Sequence, residues 1–239
     1  EMSASLVGSE MCIRDRLSYL KGRAKNSTLL YGAMNSAGGS LRLFRDALYG
    51  GETMKKDAYP RMNRELEERA KRPSRIIFLP YMAGERAPIW DPDARGTFIG
   101  LNLNTSRAEL IRAIMEGACF ALQDNLDQAA KMGLPIKDII CCGGCSRSDI
   151  WLKIKASVIG KEIKLPEVNL GAPAGLAYMN AAYMGEYSTP EEASDANLRI
   201  KKVVEPVREW IPMYRELYQV YLESYQSLKR QFKNLARIR

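Results

Sequence analysis

The feature that most constrains this chain is a pair of adjacent glycines between a short apolar run and an amphipathic helix. Residues 139–142 read I-I-C-C, which predicts a buried strand, and Gly143 and Gly144 follow it directly. A helix is then predicted to begin at Ser146 and to end at Gly160. Residues without a Cβ let the backbone approach a bulky anion, and the amides of a helix N-terminus attract one. This turn therefore predicts a phosphate-bearing ligand, with a turn that serves only packing as the alternative.

A second alternative uses the same residues. Cys142 and Cys145 form a C-x-x-C at the start of the predicted helix, the arrangement that lowers a thiol pKa in disulfide oxidoreductases. Thiol–disulfide chemistry therefore stays open. No metal site is expected, because the chain has no histidine and lacks the regular ligand spacing of a zinc site; its five cysteines are Cys12, Cys119, Cys141, Cys142 and Cys145.

Composition narrows the class of protein further. With 239 residues and 46% hydrophobic content, the chain is long enough for a substantial core, and no apolar run is long enough to span a membrane. Unpaired cysteines without a secretion signal predict a soluble protein of the reducing cytoplasm. The net charge of +8 does not favour nucleic acid as a partner, because five basic residues lie in the last eleven positions, which read as the solvated end of a helix.

The order of apolar and glycine-rich segments predicts an α/β chain. The first sixteen residues resemble translated sequencing-adapter sequence and are set aside as foreign, so the meaningful chain is expected to begin near Leu17. Strands are predicted within 28–34, 76–79 and 161–165, and an extended piece at 203–206. Helices are predicted after the Gly38-Gly39 turn, as an exposed amphipathic segment within 54–74, from Ser106 to Gly133, from Gly171, and over 213–235.

Two of these segments carry charged residues that need an interpretation. Residues 80–96 contain three prolines and two glycines, which predicts a long shaped loop whose Glu85 and Arg86 either contact a ligand or pair locally. In the helix that begins at Ser106, Glu116 stands four residues after Arg112, so an ion pair between them is predicted instead of a catalytic role for the acid.

Three motifs in order resemble the FGGY family of carbohydrate kinases. They are G-E-R-A-P at 84–88, G-T-F-I-G-L followed by E-L-I-R-A-I-M-E within 96–116, and G-G-C-S-R-S-D-I-W at 143–151. The resemblance continues through G-A-P-A-G-L-A at 171–177 and V-V-E-P at 203–206, and it covers about residues 28–225. It is to the C-terminal domain of this family, and the branch it suggests is xylulokinase-like.

The resemblance implies an actin-like, ribonuclease H-like ATPase lobe, with a mixed sheet flanked by helices and a long C-terminal helix. Such a lobe would occupy residues 17–239, with the terminal helix and basic tail in 207–239. It implies ATP with Mg²⁺ as cofactor. The positions it matches to nucleotide contacts are Gly38, Arg42, Gly143, Gly144, Cys145 and Ser148. Relatives in the glycerol kinase branch carry glutamine, alanine and asparagine where Arg42, Cys145 and Ser148 stand.

In this family a separate N-terminal lobe holds the sugar and the catalytic aspartate. The resemblance therefore implies a kinase for xylulose or a related pentulose, no catalytic residue within this chain, and no kinase activity of the chain alone. Glu85 and Arg86 would border the substrate cleft, the sugar would bind through the other lobe, and a homodimer stays open. A C-x-x-C redox protein and a non-catalytic interaction domain are the competing functions.

Overall fold

The computed structural model describes residues 10–11, 17–21, 28–49, 55–168 and 171–238 of the chain. The chain divides into two compact units: Glu1–Ile136 together with Arg215–Arg239, and Lys137–Tyr214. Most of the segment set aside as foreign, including Cys12, lies outside the described residues. Its described part, Glu10 and Met11, forms a short strand.

Both units contain helices and short strands. The helices are α1 (Ala37–Tyr49), α2 (Lys55–Arg69), α3 (Arg107–Lys131), α4 (Asp149–Ile159), α5 (Ala172–Tyr183), α6 (Pro190–Asn197) and α7 (Ile211–Arg237). The strands are β1 (Glu10–Met11), β2 (Ser18–Lys21), β3 (Thr28–Tyr31), β4 (Ile77–Leu79), β5 (Thr97–Ile99), β6 (Ile163–Pro166) and β7 (Ile200–Val204). The predicted terminal helix is confirmed, and its basic residues are partly or fully exposed to solvent.

The strands of the described residues pair in three small antiparallel sheets, β1-β2-β3, β4-β5 and β6-β7. Parallel pairing occurs in isolated bridges, one of them between Ile140 and Lys164. Residues 139–142 were predicted to be a strand, and this prediction is wrong. They form only that bridge, because just two backbone hydrogen bonds join them to β6. The Cys141 amide donates to the Lys164 carbonyl, and the Lys164 amide donates to the Ile139 carbonyl.

The first unit is built around α3. Ser106 caps this helix, and Glu109 accepts a hydrogen bond from the Ser106 amide at 2.8 Å, which confirms the predicted helix start. The helix then buries an apolar face that includes Ile111 and Ile114, both withdrawn from solvent. The predicted ion pair is confirmed as well: Arg112 Nε lies 2.7 Å from Glu116 Oε1, and both side chains are buried.

Helix α2 and Gly117 also contribute to the core of the first unit. Helix α2 was predicted to be an exposed charged segment, but its Met62 and Leu66 are fully buried, so it packs one face into the core. Gly117 lies where α3 passes the backbone of β4, and a Cβ there would overlap the carbonyl oxygen of Phe78. The helix can approach the strand this closely only because the residue is glycine.

The second unit has its own small core. Cys141, Leu152, Ala156, Ile163 and Val204 form it, so the segment before the glycines, α4 and the β6-β7 pair all contribute. The helix after the glycines begins at Asp149 with Ser148 as its cap, and Gly160 ends it in the left-handed conformation. The predicted start at Ser146 is therefore wrong, because residues 144–147 form a 3-10 turn first.

Candidate functional site

The segment with the two glycines forms an open turn, called here the glycine turn (residues 143–148). Gly143 has φ 85° and ψ −164°, a conformation that favours glycine, and the 3-10 turn Gly144–Arg147 follows. The Ser146 hydroxyl donates to the Gly143 carbonyl at 2.7 Å, which closes the turn on itself. A Cβ on either glycine would meet no described atom within 4 Å, so a ligand can approach the backbone there.

Ser148 has a structural task in this turn. Its hydroxyl oxygen accepts a hydrogen bond from the Trp151 amide at 3.3 Å and so caps α4. Any hydrogen bond from Ser148 to a ligand is therefore made by a hydroxyl that already satisfies a helix terminus. Gly143, Gly144, Cys145 and Ser148 are thus brought into one turn.

Gly38 and Arg42 belong to the first unit. They lie in the first two turns of α1, both exposed, and a Cβ on Gly38 would meet nothing within 4 Å. The helix starts where the Ser36 carbonyl accepts hydrogen bonds from the Ser40 amide at 2.7 Å and the Ser40 hydroxyl at 2.6 Å. The exposed start of α1 is compatible with a ligand contact, and its role stays a prediction.

Glu85 and Arg86 are neighbours with opposite accessibility. The loop is pinned by Glu85 and Asp91, which exchange two backbone hydrogen bonds of 2.9 and 3.0 Å. The Glu85 side chain is only 4% exposed, and its Oε1 accepts from the amides of Asn35 and Arg86, each at 2.8 Å. Its Oε2 has no hydrogen-bond partner, and burial raises the pKa of this carboxyl.

Arg86, by contrast, is exposed, and its guanidinium lies over the Trp90 ring at 5.8 Å from the centroid. Local pairing therefore accounts for both side chains of the predicted cleft pair. Of the two, only Arg86 is open to a solvent-borne substrate in the structure.

Three side chains that the sequence did not connect meet beside the glycine turn. The Sγ atoms of Cys141 and Cys145 are 3.8 Å apart, and Lys155 Nζ of α4 lies 3.1 Å from the first and 3.5 Å from the second. The interpretation of Cys142 with Cys145 as the thiol pair is wrong, since the sulfur in contact with Cys145 is that of Cys141. Cys142 is exposed instead.

The pair titrates as a unit. The hydrogen bond from the Cys141 thiol, together with the Lys155 ammonium, lowers the pKa of Cys145 to about 5. The same hydrogen bond and burial raise the pKa of Cys141. Lys155 Nζ is nearer to Cys141, but Cys141 is the more buried sulfur, so the negative charge is better solvated on Cys145. A lysine on the buried face of α4 was the one sequence signal for this cluster.

The first unit also contains a cavity of about 640 Å³ between the loop, α3 and α7, which the sequence did not indicate. Acidic and tyrosine side chains line it, among them Asp124, Asp127, Tyr218 and Glu223. Tyr218 donates to Asp127 at 2.7 Å across 91 positions of sequence, and Tyr225 donates to Asp91 at 2.8 Å. Much of this polar lining is thus bonded within the protein.

Two features are absent from the described part of the chain. Within 10–11, 17–21, 28–49, 55–168 and 171–238, no three His, Cys, Asp or Glu side chains are grouped closely enough to hold a metal ion. No helix in those same ranges is long and apolar enough to cross a membrane.

The fold and the sequence of the chain are similar to those of known sugar kinases. A crystal structure of a xyloylose kinase from Brucella ovis superposes with a TM-score of 0.81 at 28% identity, over 91% of this chain and 43% of that one. The fold is thus the mixed α/β, actin-like ATPase fold expected from the resemblance. The family model for the C-terminal domain of the FGGY family of carbohydrate kinases matches residues 16–184, and the chain belongs to this family.

The chain is also similar to curated sugar kinases. A xylulose kinase from Staphylococcus epidermidis is 32% identical over 154 residues, which is 64% of this chain and 31% of the relative. A gluconokinase from Bacillus licheniformis is 28% identical over 218 residues, 89% of this chain and 42% of the relative. The match therefore spans only 31% and 42% of the length of these two relatives.

Proposed function

We propose that this chain is the ATP-binding lobe of a sugar kinase that transfers the γ-phosphate of ATP to a sugar hydroxyl. The observation that carries the proposal is the glycine turn: it lies within the region matched to the family, and its two glycines leave the backbone open. When bound, ATP with Mg²⁺ would supply the phosphoryl group and part of the charge neutralisation that its transfer requires.

Four residues of the glycine turn are proposed to contact the nucleotide. Gly143 and Gly144 would let the adenosine part approach the backbone, since no side chain stands between it and the turn. Cys145 and Ser148 would border it, with Ser148 also holding the start of α4. In the first unit, Gly38 and Arg42 are proposed as further nucleotide contacts on the strength of the family resemblance and their exposure.

The acceptor sugar and the general base are assigned to another lobe. Phosphoryl transfer requires that one part of the enzyme grips ATP while another presents the hydroxyl in line. This chain covers only 43% of the solved Brucella ovis relative, and the buried Glu85 carboxylate already accepts hydrogen bonds from two backbone amides. We therefore assign no catalytic residue to this chain. We expect the 239-residue chain alone to bind ATP without phosphorylating sugar.

Xylulose or a related pentulose is the proposed acceptor, because the relatives include xylulose kinases at 32% identity. Gluconate is the second candidate, because the gluconokinase match covers more of the chain, 89%. A phosphorylation assay with xylulose, gluconate and glycerol, on this lobe joined to its N-terminal lobe, distinguishes them. Turnover of gluconate but not xylulose would overturn the pentulose assignment.

The nucleotide assignment is tested by calorimetric titration of the chain with Mg-ATP. Gly144→Leu places a side chain where the free protein has open space, and its backbone is outside the positive-φ region, so folding should be unaffected. Affinity for ATP should fall at least about ten-fold through overlap with the ligand. Gly143→Leu is a poorer probe, because φ 85° at that position strains any side chain.

Cys142→Leu is the matched control. It adds the same side chain at an exposed position just before the glycine turn, one that the family resemblance does not match to a nucleotide contact. Its ATP affinity should stay within about two-fold of the original, a change of less than about 0.5 kcal/mol. If Gly144→Leu binds ATP as tightly as the unchanged chain while keeping its thermal midpoint, the glycine turn is not the nucleotide site.

A further inference from the structure

The cluster beside the glycine turn has the parts of a reactive thiol pair. Cys145 is partly exposed, Cys141 is buried behind it, and Lys155 places a cation within 3.5 Å of both sulfurs although it is itself only 9% exposed. A positive charge this close to both sulfurs favours the thiolate form of one of them. A thiolate that solvent reaches is the form of cysteine that oxidants attack.

We propose that Cys145 is a site of reversible oxidation by hydrogen peroxide, which ends in a disulfide bond to Cys141. In the first step the Cys145 sulfur attacks one peroxide oxygen, so the S–O bond forms as the O–O bond breaks. Sulfur is oxidised by two electrons to a sulfenic acid, and the departing oxygen takes a proton and leaves as water.

In the second step Cys141 attacks the sulfenic sulfur. The S–S bond forms, the S–O bond breaks, and the Cys141 proton leaves with the hydroxyl group as a second water. The net change is two thiols and one peroxide converted into one disulfide and two waters. A dithiol reductant reverses it by exchange.

The structure favours Cys141 over Cys142 as the resolving thiol. Cys141 Sγ is already in contact with Cys145 Sγ at 3.8 Å, and a bond needs about 2.05 Å, so the sulfurs must close by less than 2 Å. Cys145 reaches Cys142 only at its carbonyl oxygen, also at 3.8 Å. The backbone of Cys141 is held by the Lys164 carbonyl at 2.9 Å, so the movement falls mainly on Cys145 and its 3-10 turn.

A consequence for nucleotide binding follows and rests on the proposed function. Cys145 stands in the glycine turn next to Gly144, so drawing its sulfur toward the core moves the backbone proposed to contact adenosine. The oxidised chain should therefore bind Mg-ATP more weakly, by at least about five-fold. Disulfide formation itself does not depend on this role.

The test is peroxide titration of the full 239-residue chain, read by intact mass and by mapping of the disulfide-linked peptides. The unchanged chain and the matched control Cys142→Ser should each lose two hydrogen masses and yield the 141–145 link, which a dithiol reverses. Cys141→Ser should stop at the sulfenic acid, trapped by dimedone at Cys145. Cys145→Ser should form neither the disulfide nor the sulfenic acid. It should consume peroxide at least about ten-fold more slowly than the unchanged chain.

Mapping of the disulfide in the unchanged chain does not depend on whether a core variant such as Cys141→Ser folds. A link through Cys142, or no loss of hydrogen mass at peroxide levels that oxidise Cys145, would overturn it. Mg-ATP titration of the oxidised chain is a separate readout: a 141–145 disulfide with unchanged ATP affinity contradicts only the proposed nucleotide role of the turn.

Discussion

Arg112 and Glu116 form an ion pair from which solvent is excluded, with side-chain exposures of 0% and 1% and 2.7 Å between Nε and Oε1. Further hydrogen bonds complete the pair. Arg112 Nη1 donates to the Ala70 carbonyl at 2.6 Å, and the Ser74 amide donates to Glu116. The pair therefore connects α3 to the segment that follows α2.

Glu116→Ala should destabilise the first unit strongly. The substitution leaves a buried guanidinium without its counter-charge and the Ser74 amide without its acceptor, which costs about 3–5 kcal/mol. Chemical unfolding measures the loss. Arg61→Ala is the control, since the Arg61–Glu65 pair has the same spacing but Arg61 is 42% exposed, and it should cost about 1 kcal/mol or less. Equal losses of unfolding free energy in the two variants would show that burial does not make the Arg112–Glu116 pair more important than an exposed pair.

Gly117→Ala should destabilise the same unit through overlap with the backbone. The new Cβ would collide with the Phe78 carbonyl oxygen and lie 3.1 Å from its carbon, so α3 and β4 must separate, at a cost of about 1–3 kcal/mol. Gly175→Ala in α5 is the matched control. Its Cβ meets nothing within 4 Å, so higher helix propensity should stabilise α5 by up to about 1 kcal/mol. The thermal midpoint should fall for Gly117→Ala and rise for Gly175→Ala. Shifts in the same direction would refute the close contact between Gly117 and the Phe78 carbonyl.

Ser148→Ala should loosen the start of α4. Removing the cap costs about 1 kcal/mol, and the Trp151 amide should exchange with solvent faster because its acceptor is gone. Ser148→Asp retains an acceptor at the cap and should preserve the slow exchange. Ser146→Ala loses the bond to the Gly143 carbonyl and should leave Trp151 exchange unchanged. If the Trp151 amide exchanges faster in Ser146→Ala and not in Ser148→Ala, Ser146 is the cap, as the sequence suggested.

Glu85→Gln should change how stability depends on pH. Burial raises the pKa of Glu85 above its value in the unfolded chain, so its contribution is fully present at low pH and is lost as pH rises through the folded pKa. Glutamine keeps an oxygen that can accept from Asn35 and Arg86 but cannot ionise. Relative to the unchanged chain, the variant should gain stability as pH rises above the ordinary carboxyl range, as measured by urea unfolding at several pH values. Parallel curves would show that Glu85 titrates normally.

Cys145 should react with iodoacetamide at a rate that rises with a midpoint near pH 5, following its thiolate fraction. Cys141→Ala removes the hydrogen bond that contributes most, and Lys155→Met removes the nearby charge, so each should move the midpoint to higher pH. Rates are measured by mass spectrometry of the 145-containing peptide. A midpoint that stays unchanged in both variants would show that neither group stabilises the thiolate.

Sequence patterns predicted the elements whose stabilising contacts are local. The capping box of Ser106 with Glu109 and the pairing of Arg112 with Glu116 span three and four positions, so helix geometry alone brings those side chains together. Family motifs in the sequence likewise identified the C-terminal domain of a carbohydrate kinase family. The start of α4 was misplaced because Ser146 and Ser148 are both acceptable caps in sequence, and only the bond from Ser146 to Gly143 decides between them.

By itself, the sequence determined most of the helices, the glycine turn and the family, because each depends on residue types at short and regular spacing. It did not indicate α6. Tertiary structure alone decided that Cys141 and Lys155 flank Cys145, and that Glu85 is buried against the amide of Asn35, fifty positions earlier. These contacts join segments whose approach depends on the packing of the core. The charge state of a thiol or carboxyl follows from the groups packed around it, and those groups are not adjacent in the chain.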